Sequence, residues 1–174
     1  MKLTREVDNR TILTDGGITT EVRDLKLNIE DLRVFRLSSY MDDRGYVREL
    51  WKNNYFPDAR VEQVYFATCT KNVIKCWHFH SEHRDRLCVI TGRVKLGLVD
   101  KRPGSAYFDK QDSLVIDANI NPMIVEVPTM VYHGMMGLAE ESIVLNIPTH
   151  VYDPADEHKA PADSIDFPWE IKNR

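Results

Sequence analysis

The stretch Trp77-His78-Phe79-His80-Ser81-Glu82-His83-Arg84-Asp85, running on through residues 86–91 to Gly92, carries the most information in this sequence. Successive side chains of a strand leave opposite faces. His78 and His80 therefore project together, and Asp85 shares a face with Leu87 and Val89 in the segment that follows. Two imidazoles and a carboxylate are thus brought within reach of one point. Far downstream, Pro128-Thr129-Met130-Val131-Tyr132-His133 offers one more imidazole at the start of a strand-rich region. Imidazole with carboxylate is a ligand set for a borderline divalent metal and equally a set for moving protons. The residues by themselves leave both uses open.

Outward from this stretch the strand signal is nearly continuous, over residues 63–69, 72–80, 86–91, 93–99, 113–117, 124–127 and 142–147. Turn chemistry separates these runs at Lys71-Asn72, Thr91-Gly92, Pro103-Gly104, Asn119 to Pro122 and Gly134 to Glu140. Val94, Leu96 and Leu98 face one way while Arg93, Lys95 and Gly97 face the other, the half-buried antiparallel pattern. No segment carries a long amphipathic helical stripe. Many short strands at this spacing predict an all-β sandwich or small barrel of the jelly-roll kind.

Before these strands, residues 32–36 alternate, and Asp42-Asp43-Arg44-Gly45 ahead of residues 46–51 reads as a hairpin. Residues 52–60, with Pro57, read as a loop. Residues 1–32 mix charge, the Gly16-Gly17 turn and short apolar pieces such as Thr11-Ile12-Leu13, the composition of an arm that packs on a neighbouring subunit by strand exchange; residues 33–174 form the jelly-roll domain. The tail from His150, with Pro154, Pro161 and Pro168, is expected to be irregular apart from a helical turn over 155–158.

At 174 residues the chain fits one domain able to bury a core without staples. A formal net charge of -4 excludes a global attraction to nucleic acid or to an anionic membrane surface. Cys69, Cys76 and Cys88 are odd in number and lack the paired spacing of a zinc or redox motif, which indicates a reducing compartment. The charged run from Lys2 to Arg10, and the lack of about 18 consecutive apolar residues, argue against a signal peptide or a membrane span. The expected location is the cytoplasm.

The spacing His78, one residue, His80, four residues, Asp85, six residues, Gly92 resembles the first motif of the cupin superfamily, with Asp for its usual Glu. Pro128, Met130 and His133 are similar to the second, Met130 standing in the place of a Gly. The resemblance implies a cupin-type double-stranded β-helix. A metal reading would use His78, His80, Asp85 and His133 for Zn, Fe, Mn or Ni.

A more particular resemblance covers roughly residues 33–169 and points to the dTDP-4-dehydrorhamnose 3,5-epimerase family. Tyr40-Met41-Asp42-Asp43-Arg44-Gly45-Tyr46-Val47-Arg48-Glu49 is similar to its Phe-x-Asp-x-Arg-Gly-Phe-Phe-x-Glu motif, and Gln63 stands where the family has a Gln. Val73-Ile74-Lys75-Cys76-Trp77-His78-Phe79-His80 parallels Val-Leu-Arg-Gly-Leu-His-Tyr-Gln. Residues 128–134 parallel Pro-x-Gly-x-x-His-Gly, and Tyr152-Asp153-Pro154-Ala155-Asp156-Glu157 parallels Tyr-x-Pro-x-x-Glu. The resemblance implies a homodimer that needs no cofactor and acts on a nucleotide-diphosphate sugar in carbohydrate biosynthesis. His78 would be the catalytic base and Tyr152 the acid. Arg44, Glu49, Gln63 and Lys75 would bind substrate, with Arg44 and Lys75 on the diphosphate. The family's enolate-stabilising lysine falls near Asp85 and Arg86, so Arg86 is the cation available there. The acid partner of that lysine falls at Leu96, the aromatic that faces the nucleobase at Val47, and the aspartate paired with the catalytic His has no counterpart near Trp169.

A ketone acidifies the hydrogens on neighbouring carbons, so a neutral His can remove one proton and a Tyr return another, inverting the centre. Lys75 and His78 differ in strand parity and share a pocket only if a bulge lies between them. Two other readings stay open: a metal-dependent cupin acting as an isomerase or dioxygenase, and a non-catalytic sugar-binding cupin. His83 reads as a solvent-facing turn residue, Trp51, Trp77 and Trp169 as packing, and the cysteines as small core residues.

Overall fold

In the computed structural model, residues 27–52 and 60–171 are described in full, and 5–7 and 10–13 as backbone. The elements in chain order are β1 (Arg5–Val7), β2 (Arg10–Leu13), β3 (Arg33–Arg36), β4 (Ser39–Asp42), β5 (Gly45–Arg48), β6 (Tyr65–Thr70) and β7 (Ile74–Phe79). They continue as β8 (Asp85–Thr91), β9 (Arg93–Asp100), β10 (Gln111–Asp117), β11 (Met123–Val127), β12 (Val131–Gly137), β13 (Glu141–Asn146) and β14 (His158–Lys159), then one 3₁₀ turn at Ala162–Ser164. There is no α-helix among the described residues, and no helix there is long and apolar enough to cross a membrane.

Two sheets face each other as a jelly roll. One runs β1-β2-β3-β11-β8-β13-β6 and the other β10-β9-β12-β7-β14. Alternation within each strand fills three layers. Leu87 and Val89 of β8, with Val94, Leu96 and Leu98 of β9, point between the sheets into the main core, each fully buried Leu or Val contributing about 1.5–3 kcal/mol. Cys88 and Ile90, of the opposite parity, point outward with Phe35, Leu37 and Ile124, and are covered by Leu50 and Trp51. On the far side Trp77 and Val99 lie under Phe167 and Trp169 of the tail. Gly97 makes that cover possible, since a Cβ there would stand 2.6 Å from Trp169 and 2.8 Å from Phe167.

The residues before β3 join the same core, with Leu27, Ile29 and Leu32 buried, while β2 pairs in parallel with β3. The Gly16-Gly17 turn and the Pro57 loop lie outside the described residues. The hairpin expected at 42–45 is present, but as the separate two-stranded ribbon β4–β5.

Two expectations are corrected. The expected turn over Gly134 to Glu140 is strand up to Gly137. The helical turn expected over 155–158 is instead an ordinary turn leading into β14, which pairs with β7 through His158↔Phe79 and Lys159↔His78.

The bulge that Lys75 and His78 require is in place. His133 pairs with His78 and Met135 with Lys75, so two residues of β7 oppose the single Gly134 of β12.

Candidate active site

Between the sheets, at the end where β7 gives way to β8, a cavity of about 410 Å³ opens toward the surface. Five strands and the tail supply its wall: Tyr65 of β6, Lys75 and His78 of β7, Asp85 and Leu87 of β8, His133 of β12, Asn146 of β13, and Tyr152 and Glu157 from the segment leading to β14, with His80 and Gln63 beside them. Strand alternation explains each strand residue, and the β7 bulge explains why Lys75 and His78 both face in.

Asp85 is the centre of the polar wall. His133 Nε2 lies 3.1 Å from its Oδ2, His80 Nε2 3.4 Å from the same atom, and His83 Nε2 3.5 Å from Oδ1. The amide of Asn146 donates to Oδ1 at 2.7 Å and to the Tyr65 hydroxyl at 2.7 Å. Burial works to raise the Asp85 carboxyl, but the three imidazoles outweigh it and hold its pKa well below the usual carboxylate range. Burial works to lower His80; the contact with Asp85 and its charge outweigh that and lift its pKa. Asp156 is the second anchor, accepting from the Ser81 hydroxyl at 2.6 Å, the Ser81 N–H at 2.6 Å and the His83 ring at 2.7 Å. Those bonds outweigh burial and hold its carboxyl below the usual range. Desolvation likewise lifts the Tyr65 hydroxyl to about 12, with the Asp85 charge adding to it.

His78 stands apart from this network. Its ring is edge-on to His133 with centroids 6.3 Å apart. Burial lowers its pKa below the usual imidazole value, His133 adding to the effect and the Glu157 charge opposing it, so the neutral base is the favoured form. Tyr152 is at the rim, 57% exposed, its N–H donating to Gln63 Oε1 at 2.6 Å. The Lys75 ammonium donates to the Thr68 carbonyl at 2.6 Å.

Of the residues singled out in the sequence, the cavity gathers His78, His80, Asp85, His133, Tyr152, Gln63 and Lys75. Arg86 is not there. Its neighbour Asp85 points in, so Arg86 points out, where its guanidinium donates to Glu126 at 2.8 Å and lies over Trp51. Arg44 lies on the exposed β4–β5 ribbon, paired with Asp42, and Glu49 just after that ribbon, paired with Lys52.

The metal set expected from spacing is also redrawn. Among the described residues, the cluster with donor atoms mutually within 4.8 Å is His80, His83 and Asp85, without His78 and His133. His83, expected to face solvent, is 7% exposed. Sequence reasoning passed over His83, Asn146, Asp156 and Glu157. The His80-x-x-His83 spacing and the paired acids within the Tyr152 motif were the available signals.

The sequence model of the family described as dTDP-4-dehydrorhamnose 3,5-epimerase matches residues 26–173. A probable low-salt glycan biosynthesis epimerase of Haloferax volcanii is 29% identical over 141 residues, spanning 78% of this chain and 90% of that protein. A dTDP sugar isomerase of Desulfovibrio desulfuricans superposes with a TM-score of 0.78 at 19% identity, over 84% of this chain and 95% of that one. A dTDP-6-deoxy-D-glucose-3,5-epimerase of Legionella pneumophila, solved with dTDP-4-keto-L-rhamnose, superposes with a TM-score of 0.74 at 22% identity, over 85% and 84% of the two chains. These likenesses agree with the jelly roll described above.

Proposed function

The chain belongs to the dTDP-4-dehydrorhamnose 3,5-epimerase family, and from that premise we propose that it epimerises a nucleotide-linked 4-keto sugar, with His78 as the base that removes a proton beside the ketone. The observation that carries this reading is the position of His78: half-buried in the cavity wall, outside the Asp85 network, with desolvation favouring its neutral form. A neutral imidazole accepts a carbon-bound proton, and the same ring can return it. Tyr152, at the rim of the same cavity, is the acid that delivers a proton to the enolate carbon. Inversion follows when removal and return take place from different faces of the sugar.

Charge that builds on the ketone oxygen needs a positive or hydrogen-bonding counterpart. Within the wall that role falls to Lys75, since Arg86 is turned to the other face of β8. Glu157, whose charge reaches His78, takes the place of the family's dyad aspartate. Proton transfer of this kind is redox-neutral and needs no electron-carrying cofactor. Gln63 contacts the substrate from the wall.

A homodimer is part of the proposal. Tyr40, Met41, Tyr46 and Val47 are all exposed on the β4–β5 ribbon, and β1 ends its sheet as an open edge to which a strand of a partner can add. Arg44 and Glu49, beyond reach of their own cavity, bind substrate only if a second copy takes up this ribbon. We place the enzyme in the cytoplasm, in keeping with three unpaired thiols at Cys69, Cys76 and Cys88.

The test is solvent exchange. Wild-type protein incubated in heavy water with dTDP-linked 4-keto-6-deoxyhexoses should place deuterium on a carbon next to the ketone. Tyr152→Phe should keep exchange while losing net inversion. Failure of the wild type to label any candidate keto sugar would reject the epimerase and leave a sugar-binding protein.

A further inference from the structure

The wall of the cavity contains an arrangement that proton transfer from His78 does not use. Three imidazoles converge on Asp85 through Nε2, and each has its other nitrogen engaged elsewhere. His80 Nδ1 donates to the Asp156 carbonyl at 2.8 Å, and His133 Nδ1 to the Val131 carbonyl at 3.1 Å. His83 Nδ1 donates to the Asp156 carboxylate at 2.7 Å. A carbonyl oxygen only accepts, so the Nδ1 atoms of His80 and His133 carry protons, and the neutral rings turn bare Nε2 lone pairs toward a carboxylate. Lone pairs and carboxylate oxygens repel one another unless a cation lies among them. Filling the gap with protons alone makes three imidazoliums side by side, with the His80 and His83 rings stacked 3.8 Å apart in a buried setting, where like charges are costly.

We propose that this cluster is a divalent-metal site of the zinc class, held by His80 Nε2, His83 Nε2 and the Asp85 carboxylate, with His133 bonded to that carboxylate. The separations fit. Ligand atoms about 2.0–2.1 Å from a tetrahedral zinc stand about 3.4 Å from one another; the His80 and His83 nitrogens lie 3.4 and 3.5 Å from the nearest Asp85 oxygen, and the three donor atoms lie mutually within 4.8 Å. The surrounding bonds are those that orient metal ligands: a carbonyl or carboxylate on the far nitrogen of every ring, and the Asn146 amide on Asp85. Asp156 acts as a positioning residue for both His80 and His83, itself fixed by the N–H groups of Ser81, Glu82 and His83. His80 and Asp85 face the cavity, so an ion held by three protein ligands keeps a position open to a small molecule, whereas His78 is left out of the ligand set and free for proton work. This differs from the set that motif spacing predicts, in which His78 and His133 are ligands and His83 is not.

The assignment is independent of the epimerase reading, because its test reads metal and not turnover. Protein stripped with a chelator, reloaded with excess zinc and passed through gel filtration should retain about one ion per chain by elemental analysis. Cobalt in its place should give the visible bands of a nitrogen–oxygen site. His83→Ala and the isosteric Asp85→Asn should each abolish retention while circular dichroism shows the β fold intact, and Asp156→Asn should weaken affinity by about 10–100-fold. His78→Ala should retain the full complement. Less than about a tenth of an ion per reloaded wild-type chain overturns the proposal. So does a set of variants in which His78→Ala loses the ion and His83→Ala keeps it.

Discussion

Strand β8 begins with two charged residues that seed two buried clusters on opposite faces of one sheet, and the clusters are built differently. Inward, Asp85 meets three imidazoles and an amide beside a cavity, and the donors that surround it are titratable or able to coordinate. Outward, Arg86 meets Glu126, which is fully buried and also takes ion pairs from Arg33 and, at 3.3 Å, from Arg84. Arginine stays charged and its fork matches a carboxylate, so the outer cluster has one charge state and one geometry. The inner cluster has several. The same backbone positions both, and the choice of His against Arg separates a site that can change state from a brace that cannot.

If that division holds, substitutions on the inner face should cost rate and those on the outer face stability. The largest effect is expected from His78→Ala, which removes the base and should lower kcat/KM by about 10²–10⁴-fold, while urea unfolding shifts by less than about 1 kcal/mol because the ring is only partly buried. A variant that loses both in proportion would mean that His78 is a packing residue. Glu126→Gln is the converse. It leaves Arg86 buried without its counter-charge, a change worth about 3–5 kcal/mol of unfolding free energy, and the fraction that remains folded should turn over within a few-fold of wild type. Were activity to fall with stability unchanged, Glu126 would belong to the site and the two faces would not be separate devices.

How far this division could be seen in advance differs by residue. Parity alone places Asp85, Leu87 and Val89 inward, and the same rule sends Arg86 outward; the family resemblance, read for a cation near the lysine position, pulled it the other way. The alternation of Val94, Leu96 and Leu98 gives β9 and its core face at once. Strand β12 is hidden because Gly134 and Gly137 look like turn residues, yet Gly134 sits mid-strand and Gly137 at the strand's end, each where another backbone passes closely: a Cβ on Gly134 would collide with Cys76, and one on Gly137 with the Thr70 carbonyl. Met130 shows the reverse, holding a left-handed φ of 58° where the related motif has Gly. His83 reads as a turn residue because nothing local buries it. Its burial is the work of Asp156, reached across 73 residues of sequence, and such a contact leaves no periodic trace.

A third buried carboxylate gives the smallest test of the comparison. Asp100 ends β9 and, like Glu126, is paired with an arginine: Arg102 donates to it through Nη2 at 2.6 Å, and the Ser105 hydroxyl adds a bond at 2.9 Å. Burial works to raise its carboxyl, but these partners outweigh it and hold the pKa below the usual value. With a folded pKa lower than the unfolded value of about 3.9, the folded state holds fewer protons. The stabilisation is complete above the unfolded pKa and drains away as the pH falls through the folded one. Asp100→Asn should therefore cost about 1–2 kcal/mol at neutral pH and progressively less as the pH falls below the unfolded pKa, so its urea midpoint should approach that of the wild type on acidification. A gap that stays constant with pH would mean that the Asn variant loses packing and not charge, and Asp100 would then be no guide to how the arginine-paired carboxylate on the outer face of β8 behaves.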